Sequence, residues 1–179
     1  MTKTFSVITI TRNNLDGLIA THGSLNAQGC FDYEWIVVDG ASIDGTLAYL
    51  AKSNARWISE RDNGIYDAMN TGLDAAQGEY VIFMNAGDQF ASNNVLQTLK
   101  EAAESKPDFI YGDALETVPG RKPAYKKARG YKKFTWGMFT HHQAMIYRRE
   151  TAGSLRYNTE YKIAADYDFT VRFLEASES

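Results

Sequence analysis

The chain has 179 residues, 44% hydrophobic and 13% aromatic, which suffices for a buried core and argues against disorder. The net charge of −3 argues against a nucleic-acid partner, and no apolar run approaches the ~20 residues of a membrane span. A lone cysteine, Cys30, excludes an internal disulfide or a thiolate metal site and, with no signal-peptide pattern in "MTKTFSVITITRNN", sets the expectation of a cytoplasmic protein.

Taken in order, "FSVITI" (5–10) reads as a strand and "LDGLIATHGSLNAQ" (15–28) as an amphipathic helix. "EWIVVD" (34–39) is a second strand, followed by a helix over 44–54 with Asp44 as its N-cap. "ARWIS" (55–59) is a short strand. Ile65, Met69, Leu73 and Ala76 then mark one face of a helix that stops near Gly78. "YVIFM" is another strand, "NNVLQTLKEAAES" another helix, and "DFIYGDALETV" more strand. The stretch 119–140 shows no clean period and is expected to be a long mobile loop. "QAMIYRR" (143–149) resumes as a strand and "ADYDFTVRFLEA" (165–176) closes the chain as a helix. Strands alternating with helices of these lengths predict one α/β domain with a mostly parallel sheet covered on both faces.

In an open parallel sheet, ligands sit in the crevice outside the carboxyl ends of the strands. Polar clusters follow each of the first four strands: Thr11 to Asn13, then Asp39, then Glu60 to Asn63, then Asn85 to Asp88. Any one of these could be an ordinary turn, but four at one edge point to a site. No G-x-G-x-x-G follows the first strand, no G-x-x-x-x-G-K-[ST] phosphate loop occurs, and no G-x-S-x-G elbow presents a serine. What remains is a crevice of carboxylates, amides and backbone N–H groups. Asp88, at the tip of a rigid strand, suits a hard cation such as Mg²⁺ or Mn²⁺ that also bridges phosphates. The helix start near Gly64 is a second place favourable to an anion. Of the adjacent pair His141 and His142, at most one can enter a given site if the segment is extended.

The stretches "VITITRNN", "EWIVVDGASIDGT", "SERDNGIYDAMNTGLDAAQGEYVIFMNAGD" and "HHQAMIYRR…IAADYDFTVRF" together resemble family 2 glycosyltransferases, with the nearest likeness to bacterial exopolysaccharide enzymes of the colanic-acid type. The resemblance spans essentially the whole chain, and its 59–88 block is its most specific part. It implies a GT-A-type, Rossmann-like α/β/α sandwich, with a nucleotide-binding part over about 1–90 and an acceptor-side part over about 91–179. It further implies an inverting transfer of sugar from a nucleotide-sugar donor, often a UDP-sugar, to an acceptor hydroxyl, helped by a divalent metal.

Residue by residue, the resemblance places Thr11 and Asn13 on the loop that touches the nucleoside. Asp39 falls where base or ribose is read, and Asp62 at a second nucleoside contact. Asn70 belongs to an "N-x-G" that either lies near the sugar nucleotide or holds the fold around it. "NAGD" replaces the Asp-x-Asp signature, so Asn85 stands where the first acid would be and Asp88 reaches the metal. One sure carboxylate makes that metal weak or optional. Asp166 matches the catalytic base. Asp168 is its rival, two residues on and about 200° around the helix at 3.6 residues per turn, so one of the two faces the crevice. His142 and Gln143 match a pair near the diphosphate and acceptor, and Trp136 either stacks on a sugar or anchors its loop.

Between Glu116 and Glu150 the chain carries only basic charges, from Arg121 and Lys122 through Lys126, Lys127, Arg129, Lys132 and Lys133 to Arg148 and Arg149. Read as more than a solvated loop, the 121–133 part suits phosphates or peripheral contact with an anionic membrane. The resemblance suggests a saccharide or lipid-linked saccharide acceptor at the inner face of that membrane. Two other readings stand beside the enzyme: a non-catalytic nucleotide-sugar binder or incomplete domain, and a sugar nucleotidyltransferase. The last is disfavoured because the first loop lacks a glycine- and basic-rich grip for a triphosphate.

Overall fold

The computed structural model describes residues 3–118 and 120–177, with the side chains of Lys133, Thr135 and Trp136 outside that description. The expectation for Trp136 therefore lies outside the described residues. Strands β1 (Phe5–Thr11), β2 (Tyr33–Asp39), β3 (Arg56–Ser59) and β4 (Tyr80–Phe83) run parallel, and β8 (Met145–Arg148) and β5 (Phe109–Tyr111) extend the sheet. The order is β3-β2-β1-β4-β8-β5, with β8 antiparallel to both of its neighbours.

Alternation along the strands builds two cores. Ile8, Ile10, Ile36, Val38, Val81 and Phe83 face α3 (Ile65–Ala75) and α6 (Ala165–Ser177). Phe5, Val7, Trp35, Val37, Tyr80 and Ile82 face α1 (Leu15–Asn26), α2 (Thr46–Leu50) and α4 (Val95–Ala103). The result is the expected α/β/α sandwich with a mostly parallel sheet. Among the described residues, no helix is long and apolar enough to cross a membrane.

Four local expectations are corrected. The helix over 44–54 shrinks to one turn, and Asp44 lies just outside it. Its carboxylate accepts from Thr46 N at 3.2 Å, Thr46 Oγ1 at 2.6 Å and Leu15 N at 2.9 Å, so one acid ties the starts of α1 and α2 together. In α3 the buried face is Ala68, Met69, Gly72, Leu73 and Ala75, while Ile65 is 45% exposed. Small residues set that face because the helix lies close on β1: a Cβ on Gly72 would stand 2.5 Å from Ile8 Cγ2. The run 108–118 breaks at Gly112 into β5 and a separate β6 (Ala114–Glu116). Finally, 119–140 is not structureless. Its residues Ala124–Lys126 form β7, paired antiparallel with β6, and Tyr131–Trp136 form a 3₁₀ turn. A one-turn helix, α5 (Arg149–Ala152), follows β8.

Candidate active site

The carboxyl ends of β1, β2 and β4 meet at one rim, and the loops leaving them are strained. Asn13 (φ 49°) and Ala41 (φ 56°) are left-handed there, as is Ala164 (φ 66°) just before α6. Such backbone costs of order 1–3 kcal/mol each and gathers where a site requires it.

Asp39 is wholly buried at the tip of β2. Its carboxylate accepts from Ser42 N at 3.0 Å, from Ser59 Oγ at 2.7 Å and from the Ser42 hydroxyl. Ser42 Oγ in turn accepts from Asn13 N at 2.7 Å, and Asn13 Oδ1 from Ile43 N at 2.8 Å. Both oxygens of Asp39, expected to read a base or ribose, hold the 40–43 turn and Ser59. Asp62 closes that pocket wall. Its Oδ1 accepts from Gly64 N at 3.0 Å, and a Cβ on Gly40 would stand 2.5 Å from its Oδ2. The helix start near Gly64, expected to welcome an anion, already holds one: Asp67 accepts from Asn63 N and Nδ2, both at 3.0 Å.

Thr11 and the turn after β4 contribute unspent polar atoms. Thr11 Oγ1 and Asn85 Oδ1 are buried without a hydrogen-bond partner. Buried polar atoms are satisfied in the great majority of cases, so two orphans at one rim mark a place where something else completes the bonding. The turn is firm: Thr21 Oγ1 donates to Asp88 O at 2.8 Å and accepts from Gly87 N at 2.9 Å, and Asp88 Oδ2 accepts from Asn85 N at 2.9 Å. Burial pushes the Asp88 carboxyl up, against the Gln143 side chain, the Asn85 N–H and the charge of His141, which favour its ionised form. A half-buried carboxylate beside an orphaned amide oxygen fits a divalent cation whose remaining ligands are phosphates and water. Among the described residues no group of three or more His, Cys, Asp or Glu could hold a metal unaided.

Residues 141–143 also line an open cleft of about 470 Å³, together with Lys126, Lys127, Arg129, Met138, Phe139, Thr140 and Asp166. Gln143 thus reaches both the cleft and Asp88. Both histidines line the wall, because His142–Ala144 turn in a 3₁₀ helix rather than running extended. Asp166, in the first turn of α6, lines the cleft, while Asp168 is committed to Arg172 at 2.6 Å.

What fixes Asp166 is a buried aromatic cluster that sequence spacing could not show. His142 Nε2 pairs with Tyr157 Oη at 2.8 Å, and the Tyr157 ring stacks on Phe169 of α6 with centroids 4.4 Å apart. Asn70 grips the Tyr157 backbone at both ends, donating to its carbonyl at 3.0 Å and accepting from its N–H at 2.8 Å. Both ends of the Asn70 amide thus tie residue 157 to α3. Tyr66 sets its hydroxyl against the backbone N–H groups of residues 164–166.

His142 is buried, and burial lowers its pKa from 6.5 to about 4 despite the nearby Asp166 charge. The unfolded chain therefore binds a proton at this residue from 6.5 downward, while the folded chain refuses it until about 4. Its contribution is full above pH 6.5 and drains away as pH falls towards 4, by roughly 3 kcal/mol at ~1.4 kcal/mol per pH unit. Urea unfolding of His142→Gln against wild type across that window is expected to show a flatter profile for the variant. Parallel profiles would contradict the assignment.

An α/β/α sheet with acid-bearing loops at its carboxyl edge offers a ligand crevice at that edge. The sequence matches glycosyl transferase family 2 over residues 6–166, and the chain belongs to that family. It is 33% identical over 177 residues to a PGL/p-HBAD biosynthesis glycosyltransferase of Mycobacterium bovis, covering 94% of this chain and 68% of that one. Its fold is shared with TarS 1–349 of S. aureus in complex with UDP-GlcNAc (TM-score 0.77, 23% identity, 99% of this chain and 53% of that one). It is shared too with the mannosyltransferase PcManGT of Pyrobaculum calidifontis in complex with GDP-Man and Mn²⁺ (TM-score 0.72, 18% identity, 99% and 53%). The chain spans about half the length of these two structures.

Proposed function

We propose that this domain transfers a sugar, with inversion, from a nucleotide-sugar donor, a UDP-sugar first among candidates, to an acceptor hydroxyl in bacterial surface polysaccharide synthesis. The observation that carries the reading is that Gln143 both bonds Asp88, next to the orphaned Asn85 oxygen, and lines the cleft that holds Asp166. The UDP-GlcNAc and GDP-Man complexes of proteins sharing the fold support a nucleotide-sugar donor.

In this reading the nucleoside lies over the turn held by Asp39, Ser42 and Asn13, beside Asp62 and Thr11. The diphosphate lies near Asn85 and Asp88. A divalent cation held there by Asp88 and the Asn85 amide oxygen, together with the donor's phosphates, would supply positive charge to the departing diphosphate. Asp166 accepts the proton of the attacking hydroxyl, from the side opposite the leaving group, so configuration inverts. His142, neutral at physiological pH, adds no charge to the wall and keeps its hydrogen bond to Tyr157. The acceptor is a saccharide or lipid-linked saccharide, brought to the cytoplasmic membrane face with help from the basic 121–133 segment.

A thermal-shift panel of nucleotide sugars with and without Mn²⁺ tests the donor half. Stabilisation by UDP-sugars, larger with Mn²⁺, is expected; stabilisation by nucleoside triphosphates alone would favour a nucleotidyltransferase and overturn the reading.

A further inference from the structure

Lys126, Lys127 and Arg129 share one cleft with Asp166, and Asp166 is the sole acid in its lining. The stretch bearing them is anchored. Asp113 accepts from Ala128 N at 2.7 Å and from the Tyr125 hydroxyl, Arg129 N donates to Phe139 O at 2.8 Å, and the Arg129 guanidinium reaches Met138 O. Lys126 is paired with Glu116 at 2.9 Å, which leaves Lys127 and Arg129 exposed and without an ion-pair partner among the described residues. Lys127 lies near enough to Asp113 to hold that carboxyl down, behind the larger effect of Tyr125. Two cations with no ion-pair partner among the described residues, lining one cleft with Met138, Phe139 and Asp166, suit an anion better than a solvated loop does.

We propose that Lys127 and Arg129 bind a phosphate group carried by the acceptor, holding it so that the neighbouring sugar hydroxyl meets Asp166. This rests on the transferase reading and narrows its acceptor to a phosphate-bearing saccharide. The donor's own diphosphate is not the ligand in this proposal, because the groups suited to it, Asn85 and Asp88, are not among the residues lining this cleft. A membrane surface is the lesser alternative, since these side chains line the same cleft as a carboxylate. The guanidinium offers paired donors to phosphate oxygens and the ammonium a point charge, and binding involves no covalent step.

The test saturates the protein with UDP, so that the donor side is filled, and titrates inorganic pyrophosphate by calorimetry. Wild type is expected to bind it, and the Lys127→Gln/Arg129→Gln double variant at least about tenfold more weakly, since hydrogen bonds to charged groups contribute that much. The UDP dissociation constant should stay unchanged in the variant, whose substitutions are on exposed side chains. Pyrophosphate that displaces UDP, or binds both proteins alike, or binds neither, would overturn the subsite. In a second arm, loss of binding to phosphatidylglycerol vesicles by the variant with pyrophosphate binding intact would assign the cations to a membrane and also overturn it. A protein that binds pyrophosphate through these residues but no UDP would sink the transferase reading while supporting the anion site.

Discussion

Asp166→Asn is expected to lower sugar transfer about 10²–10⁴-fold, the usual contribution of a positioned general base, with nucleotide affinity unchanged by calorimetry. The variant removes the proton acceptor and keeps the shape. The helix bearing it is held by other groups: the Asp166 backbone carbonyl takes the Thr170 hydroxyl at 2.7 Å, and Phe169 and Phe173 of α6 lie in the core. Asp168→Asn provides the contrast. It breaks an ion pair with Arg172 at a side chain 29% exposed and should cost stability, by about 1 kcal/mol or less, rather than catalysis. Wild-type turnover in Asp166→Asn would remove that residue from the chemistry.

Asp88→Asn should act on the donor instead. The amide oxygen can still accept from Asn85 N, so the turn held by Thr21 survives. The charge that suits a divalent cation does not. UDP affinity in Mn²⁺ is expected to fall at least about tenfold, ~1.4 kcal/mol, towards the value in chelator, where the two proteins should agree. Equal affinity of variant and wild type in both media would take Asp88 out of its role.

How much of this could be read beforehand depended on the range of the physics involved. The parallel strands were legible because each is an apolar run ended by polar residues, as with Val81 to Met84 followed by Asn85. Helical period showed that Asp166 and Asp168, two residues apart, point different ways, and the family resemblance chose between them. The β6–β7 hairpin was hidden because its strands are three residues each and β7 is exposed throughout, so no alternation marks it. Asn70 was ambiguous because its partner, Tyr157, is 87 residues away. Asp39, a plain strand-end acid by sequence, did not announce that it accepts from Ser42, three residues on, and from Ser59 on the neighbouring strand. Local pattern marked the polar strand ends, and long-range packing set the hydrogen-bond partners of the residues found there.

The most direct test needs no acceptor. Slow hydrolysis of a UDP-sugar in oxygen-18 water, followed by mass spectrometry of the UDP, reports which bond breaks. Attack on the sugar carbon by water that has lost its proton to Asp166 leaves UDP unlabelled, and Asp166→Asn should suppress the reaction. Label appearing in the nucleotide, or undiminished hydrolysis in the variant, would show that the crevice opposite Asp166 does not deliver a nucleophile to the sugar.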